Sequence, residues 1–151
     1  MNKKEIKILL VEDNEGDIVL ILEALKEAKV TNVIEVVRDG EEALQYLRKE
    51  GSYKKADTPD LILLDINLPK VDGKEVLAEI KKDEHLMIIP VVILTTSDSE
   101  KDIIESYLNH ANCYITKPVD YNKFMYVVLM IKNFWISIVQ LPNKESYDYG
   151  K

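Results

Sequence analysis

Three carboxylates at two places in the chain are the side chains best suited to chemistry. Glu12 and Asp13 directly follow the apolar residues 8–11, and Asp65 directly follows the apolar run Leu61–Leu64. A short continuous apolar run is typical of a strand buried on both faces of a parallel sheet, and ligands bind at the carboxyl ends of such strands. We therefore expect the three carboxylates to converge in one crevice.

The predicted crevice needs positive charge, because three carboxylates within a few ångströms repel one another. Hard oxygen ligands with few protein contacts suit Mg²⁺, which keeps several waters and usually bridges to a phosphoryl oxygen. Thr95 and Lys117, which end the fourth and follow the fifth apolar run, would add a hydroxyl and an ammonium group, and both bind phosphoryl oxygens. The set predicts a site for phosphate and magnesium.

The elements that must position these side chains follow an alternating pattern. Apolar runs and helical patterns alternate five times, which is typical of a parallel sheet with helices on both faces. The predicted strands span residues 6–11, 33–38, 61–65, 91–95 and 113–116. The predicted helices span 17–29, 41–49, 73–82, a segment to about 108 that begins at a Ser97–Glu100 capping box, and a last segment from an Asp120 cap to about 139.

Length and composition narrow the class of protein. The 151 residues suit one domain, here 1–141, with residues 142–151 predicted to be a disordered polar tail and 50–59 a flexible surface insert. A net charge of −7 argues against binding to nucleic acid or to an anionic membrane, so partners should be proteins.

The single cysteine and the lack of a signal-like apolar stretch at the N-terminus predict a cytoplasmic location. Lys132 and Asn133 interrupt the apolar residues 124–141, so we expect a packed helix rather than a membrane span.

The ordered set Glu12-Asp13, Asp65, Thr95 and Lys117-Pro118 resembles the receiver domain of two-component response regulators. Asp65 lies 30 residues before Thr95 and 52 residues before Lys117, and the resemblance extends over residues 5–139. More narrowly, the chain resembles the single-domain regulators encoded with bacterial phytochromes and related histidine kinases. That closer similarity rests on residues 11–14, the loop before Leu64, residues 64–69 and 110–120, and Phe134-Trp135.

The resemblance implies a fold, a reaction and partners. The fold would be flavodoxin-like, an α/β sandwich of a five-stranded parallel sheet between helices. Asp65 would accept a phosphoryl group from a sensor histidine kinase, for example a phytochrome-like one, in a stand-alone receiver that catalyses only its own phosphorylation and dephosphorylation. Asp13, Asp65 and the backbone carbonyl of Asn67 would bind Mg²⁺ or Mn²⁺, with Glu12 acting directly or through water. The signal would leave through a protein partner such as a histidine phosphotransfer protein.

The resemblance also implies a conformational switch. In receivers a hydroxyl at the place of Thr95 moves toward the phosphoryl group, and an aromatic residue at the place of Tyr114 turns inward behind it. The neighbouring Thr96 leaves the assignment of the hydroxyl open, and Tyr114 could equally be static packing, since aromatic residues are common in strands.

The last helix carries two apolar stripes at helical spacing. Phe124, Val128, Ile131 and Trp135 form one stripe, which suits the core, whereas Met125, Leu129 and Ile136 form a second. An exposed apolar stripe is typical of a protein interface, so the second stripe predicts a homodimer. The alternative is that the polar tail covers it.

Other functions compete with the receiver interpretation. A magnesium-dependent phosphatase with an aspartyl-phosphate intermediate would need a general acid where Asn67 stands. A flavin-binding electron carrier would place a phosphate beside residues 12–15, whose charges would repel it. A pseudo-receiver that only binds proteins usually lacks part of the acidic set or the lysine, and this chain retains all of them.

Overall fold

A computed structural model describes residues 5–26 and 32–147. The described residues form a five-stranded parallel sheet in the order β2-β1-β3-β4-β5, which confirms the predicted fold class. The strands are β1 (Ile6–Val11), β2 (Asn32–Val37), β3 (Leu61–Leu64), β4 (Val91–Thr95) and β5 (Cys113–Thr116). The helices are α1 (Glu15–Lys26), α2 (Gly40–Leu47), α3 (Gly73–Lys82), α4 (Glu100–Leu108) and α5 (Tyr121–Ile131), which continues as a π-helical segment, Lys132–Ile138. Residues 27–29 of the predicted first helix and the tail residues 148–151 lie outside the described ranges.

The core consists of two apolar clusters, one on each face of the sheet. Alternate residues of β1 point to opposite faces, so that Leu9 joins the cluster of α2 and α3 while Ile8 joins that of α1 and α5. All four residues of β3 and all five of β4 are buried, as expected of central strands covered on both sides. The continuous apolar runs of the sequence therefore form the middle of the sheet.

The register of the sheet aligns the strand ends that carry the site. Val11, the last residue of β1, pairs with Leu64, the last residue of β3. Thr95 at the end of β4 pairs with Thr116 at the end of β5. The residues that follow these ends therefore lie at one edge of the sheet.

Two helix starts differ from the sequence prediction because different side chains cap them. The first helix begins at Glu15 rather than Asp17, since the Asn14 side chain accepts the backbone N–H of Asp17 at 2.9 Å. The fourth helix is capped by Ser99, whose hydroxyl accepts the N–H of Asp102, and not by Ser97.

The last helix corrects the predicted interface stripe. The π-helical segment adds one residue to a turn, and this brings Ile136 onto the core face five positions after Ile131. Ile136 is only 8% exposed, and Met125 and Leu129 are half-buried against the same cluster, so the expectation that these three form an exposed stripe is wrong. After Tyr121 in the first turn, the exposed apolar residues of this helix are instead Tyr126, Met130, Phe134 and Ile138, each four positions after the one before.

The predicted flexible insert at 50–59 has local structure. Residues Gly51–Tyr53 form a 3₁₀ turn. The ring of Tyr53 packs edge-on against Tyr46 at 5.1 Å between centroids, and its hydroxyl donates to the Glu42 carboxylate at 2.8 Å. These contacts fasten the segment to α2, so the prediction of a flexible loop is wrong for its first part.

The C-terminal segment also makes contacts that its polar composition does not reveal. Lys144–Ser146 form a 3₁₀ turn, and the Lys144 ammonium lies 3.2 Å from the buried Asp60 carboxylate and donates to the Thr58 carbonyl. The tail predicted to be disordered from residue 142 therefore packs against the chain as far as this turn. Across residues 5–26 and 32–147, no helix is long and apolar enough to cross a membrane.

Candidate functional site

The three predicted carboxylates meet at the carboxyl edge of the sheet. Glu12 and Asp13 follow β1, and Asp65 follows the neighbouring β3. One carboxylate oxygen of each lies within 4.8 Å of the others, and the described residues contain no second such group of acidic, histidine or cysteine ligands. Glu12 and Asp65 are buried, whereas Asp13 is exposed. The cluster therefore has one side open to solvent.

Lys117 lies at the centre of these charges. Its ammonium nitrogen is 2.7 Å from Glu12 Oε1, 2.9 Å from Asp65 Oδ2 and 3.0 Å from Asp17 Oδ2. Its side chain is only 3% exposed, and a buried ammonium is stable only when it is paired. The lysine that follows β5 is therefore held by residues from two other strand ends and from α1.

The pKa values of the two buried carboxyl groups, Glu12 and Asp65, shift in opposite directions. Burial, and then the adjacent Asp65, raise the pKa of Glu12 to about 9. Burial also opposes the charge of Asp65, but hydrogen bonds with Glu12 and Lys117 outweigh it and hold the pKa of Asp65 below its usual value. Burial likewise opposes the charge of Lys117, yet its bonds to Glu12 and Asp65 raise its pKa. The two carboxyl pKa values thus move in opposite directions, which favours the proton on Glu12 and the negative charge on Asp65.

The loop after β3 fixes the orientation of Asp65. The backbone N–H of Asn67 donates to Asp65 Oδ1 at 2.9 Å, so each oxygen of this carboxylate has a donor. Gly73 begins α3 directly behind the loop and donates its N–H to the Ile66 carbonyl at 2.9 Å. A Cβ atom on Gly73 would lie 2.3 Å from the Asp65 carbonyl oxygen, so only glycine lets the helix approach this closely.

The two predicted switch residues lie on the same side of the site. Thr95 is fully buried, and its hydroxyl accepts from the Asn67 side-chain amide and from the Ser97 N–H, both at 3.4 Å. Thr96 is exposed, so the structure favours Thr95 as the hydroxyl that faces the site. Tyr114 is half-buried and donates its hydroxyl to the Ser97 carbonyl at 2.9 Å. The segment between β4 and α4 therefore connects the two residues.

Sequence reasoning missed two groups around the site. The sequence pattern marks Asp17 only as the start of a helix, although its carboxylate reaches Lys117. Its position one turn after Asp13, on a helix that starts at the site, was the available signal. On the other side Lys74 bridges α3 to Asp102 and Glu105 of α4 at 2.8 and 2.6 Å, and no sequence pattern indicated this bridge.

The donor set fits a small divalent cation. Glu12, Asp13 and Asp65 offer hard carboxylate oxygens, which suit Mg²⁺ and Mn²⁺. The exposed Asp13 leaves room for the metal to keep waters and to meet a ligand from solvent. Metal binding by the backbone carbonyl of Asn67 stays a prediction.

Comparisons with known proteins agree with this geometry. Residues 8–129 match the family model of the response regulator receiver domain. Response regulator Rcp1 from Synechocystis sp. (strain ATCC 27184 / PCC 6803 / Kazusa) is 47% identical to this chain over 135 residues, which are 89% of this chain and 92% of that protein.

Two solved structures are similar over nearly the whole chain. The phosphorylated cyanobacterial phytochrome response regulator RcpA is 54% identical, with a TM-score of 0.91 over 93% of this chain and 100% of that one. The Mn²⁺-bound form of response regulator Rcp1 is 47% identical, with a TM-score of 0.89 over 91% of this chain and 99% of that one.

Proposed function

Because the chain belongs to the response regulator receiver family, we propose that Asp65 accepts a phosphoryl group from the phosphohistidine of a sensor kinase. The observation that carries the proposal is the state of the Asp65 carboxylate. It is buried, its pKa is lowered chiefly by bonds to Glu12 and Lys117 that overcome the cost of burial, and it lies beside the acidic cluster. A carboxylate kept ionised in this way is a competent nucleophile.

The step moves one phosphoryl group. An Asp65 oxygen attacks phosphorus, a new O–P bond forms as the P–N bond of the phosphohistidine breaks, and the imidazole nitrogen keeps the electron pair and takes a proton. Asn67 holds Oδ1 through its backbone N–H, and Lys117, 2.9 Å from Oδ2, donates to a phosphoryl oxygen. Such transfer depends mainly on positioning and on neutralising charge.

A divalent metal completes the site in this proposal. Glu12, Asp13, Asp65 and the carbonyl of Asn67 would hold Mg²⁺ or Mn²⁺, which neutralises the phosphoryl oxygens when bound. The Mn²⁺-bound structure of Rcp1 supports the choice of metal.

Thr95 and Tyr114 form the proposed switch. The two 3.4 Å contacts of the Thr95 hydroxyl are long for hydrogen bonds and therefore weak. A new phosphoryl group would attract this hydroxyl and draw the following segment with it. The Tyr114 hydroxyl depends on the Ser97 carbonyl in that segment, so its bond would then break or move.

The proposed partners follow from the family. The resemblance to RcpA and Rcp1 supports a phytochrome-like histidine kinase as the phosphoryl donor, and a histidine phosphotransfer protein is a further candidate for exchange. We place this exchange in the cytoplasm, where a lone cysteine such as Cys113 stays reduced. The protein would catalyse only its own phosphorylation and dephosphorylation.

A homodimer through the last helix remains part of the proposal, on a different face from the one first predicted. Tyr126, Met130, Phe134 and Ile138 are between 42% and 68% exposed and follow one another at four-residue intervals. A second copy of this helix would cover such a row.

Incubation with acetyl phosphate and Mg²⁺ followed by intact-mass spectrometry tests the proposed chemistry. We expect the wild type to gain one phosphoryl group, and Asp65→Asn or added EDTA to abolish the gain. Asp60→Asn is the matched control, because Asp60 is also 6% exposed but precedes β3 at the opposite edge of the sheet. It should still gain the group. No gain by the folded wild type would overturn the proposal and favour a receiver that only binds proteins.

A further inference from the structure

Asp17 supplies a third carboxylate to Lys117, and the proposed phosphoryl transfer makes no use of it. Its Oδ2 lies 3.0 Å from the ammonium nitrogen, the longest of the three contacts. An ammonium group has three N–H donors, and here all three are taken by side-chain carboxyl oxygens. A phosphoryl oxygen can therefore bind Lys117 fully only if it displaces or shares one of these partners.

Asp17 is the partner that can yield most easily. Its side chain is 24% exposed, compared with 2% for Glu12 and 7% for Asp65. A carboxylate in contact with water is re-solvated when it leaves the lysine, whereas a buried one is not. Asp17 and Lys117 also line one open cleft of about 470 Å³ between α1 and the start of α5. The Asp17 carboxylate can therefore move away from Lys117 into open space.

From this geometry we infer that Asp17 is a positioning residue that restrains Lys117 and limits its attraction for an incoming phosphoryl group. The inference rests on the proposed function. Removal of the Asp17 charge weakens one of the three contacts that hold Lys117 and lowers the repulsion that a phosphoryl donor meets. Phosphorylation should then become faster.

Glu15, in the same helix turn, provides the control for a purely structural role of Asp17. Acidic side chains in the first turn of a helix stabilise it through the helix dipole, and both Glu15 and Asp17 are in the first turn of α1. Glu15, however, points to Arg38, with 2.5 Å between Oε1 and Nε, and not to Lys117. Glu15→Gln therefore removes the same kind of charge from the helix but leaves the lysine restrained.

The experiment compares the initial rates of phosphorylation by acetyl phosphate for the wild type, Asp17→Asn, Asp17→Ser, Asp17→Glu and Glu15→Gln. Each protein is saturated with Mg²⁺, because the loss of a nearby charge also weakens metal binding. We expect Asp17→Asn and Asp17→Ser to react roughly threefold to thirtyfold faster, the range for one partly screened charge a few ångströms away. Asp17→Glu keeps the charge and should restore the wild-type rate, and Glu15→Gln should stay within about twofold of it.

The affinity for beryllofluoride, followed by ¹⁹F NMR, is the second measurement, since a structural role would leave it unchanged. It should rise in Asp17→Asn and stay constant in Glu15→Gln. Equal or slower phosphorylation of folded Asp17→Asn and Asp17→Ser, or an equal gain in Glu15→Gln, would overturn the inference. A wild type that takes up no phosphoryl group would instead reject the proposed function.

Discussion

The charges of single residues explain how carboxyl groups and a lysine share one largely buried site. Three carboxyl groups and one ammonium group share a largely buried space, and the raised pKa of Glu12 favours a proton on that group. Asp65 keeps its charge because Lys117 and Glu12 both bind to it. Protonation of one carboxylate and ionisation of its neighbour is the usual outcome for closely spaced acids.

The protonated Glu12 predicts a pH-dependent affinity for Mg²⁺. The metal needs the carboxylate form, and burial raises the pKa of Glu12 to about 9, so binding at neutral pH must release a proton. The apparent affinity should rise with pH from about 6 to about 9, by up to about tenfold per pH unit. Calorimetry in buffers of different ionisation enthalpy measures the released proton.

Glu12→Gln cannot release a proton and is the control for this titration. Its affinity for Mg²⁺ should vary much less over the same pH range. A wild-type affinity that does not change between pH 6 and pH 8 would contradict the assigned proton.

The residues of the site were predictable to the extent that they follow strands. Asp65, Thr95 and Lys117 each end or follow an apolar run, and the sheet must bring such ends together. Asp17 was not predictable in the same way, because its contact depends on where α1 starts and on the direction of one side chain. The proton on Glu12 depends on burial, which a sequence pattern does not give.

At the scale of elements, helix ends and one irregular turn decide what each helix presents. The apolar periods predicted the five α-helices of residues 5–26 and 32–147, but the caps moved two of their starts by two residues. In the last helix the extra residue in the π-helical turn moves Ile136 from the face that a regular helix would expose to the core face. A regular period of 3.6 residues cannot indicate such an insertion.

Gly73→Ala tests how closely α3 approaches the site. The added Cβ atom would meet the Asp65 carbonyl oxygen at 2.3 Å and the Ile66 Cα at 2.4 Å, so the backbone must move. We expect a loss of about 3 kcal/mol in the free energy of unfolding, measured with urea.

The control for this variant is Gly16→Ala, in the first turn of α1. There the nearest atom would be the Asn14 side-chain oxygen at 3.3 Å, and the change should stay within about 0.5 kcal/mol. Equal losses in the two variants would show that the close approach of α3 is not what requires glycine.

Ile136→Ala tests the π-helical segment. Because Ile136 is buried against the cluster of α1 and α5, the change should cost about 3 kcal/mol of unfolding free energy. Phe134→Ala, at 51% exposure, should cost less than about 1 kcal/mol. A larger loss of unfolding free energy in Phe134→Ala than in Ile136→Ala, measured with urea, would instead support the regular helix that the sequence predicts.

At the scale of the whole molecule, the alternating pattern was sufficient to predict the layers. Central strands buried on both faces leave only helical segments to cover them, which restricts the fold to few possibilities. The sequence could not indicate that Lys144 would reach the buried Asp60, because that contact joins two polar segments far apart in the chain.

The exposed row on the last helix predicts a dimer that one substitution can separate. Phe134→Lys places a charge in the middle of the row and should convert a dimer to a monomer at high micromolar concentration in sedimentation velocity. Met87→Lys, at a 45% exposed residue on the loop between α3 and β4, should not change the oligomeric state. A wild type that is monomeric at these concentrations would reject the interface.

The most direct test of Asp65 as the acceptor is to locate the phosphoryl group. Borohydride reduces an acyl phosphate on aspartate to homoserine, and peptide mass spectrometry then identifies the modified residue. After phosphorylation in the presence of Mg²⁺, we expect homoserine at position 65 and an unmodified Asp13, although both carboxylates face the same metal site. Homoserine at position 13, or a phosphoryl group that borohydride cannot trap, would contradict the assignment of Asp65 as the acceptor.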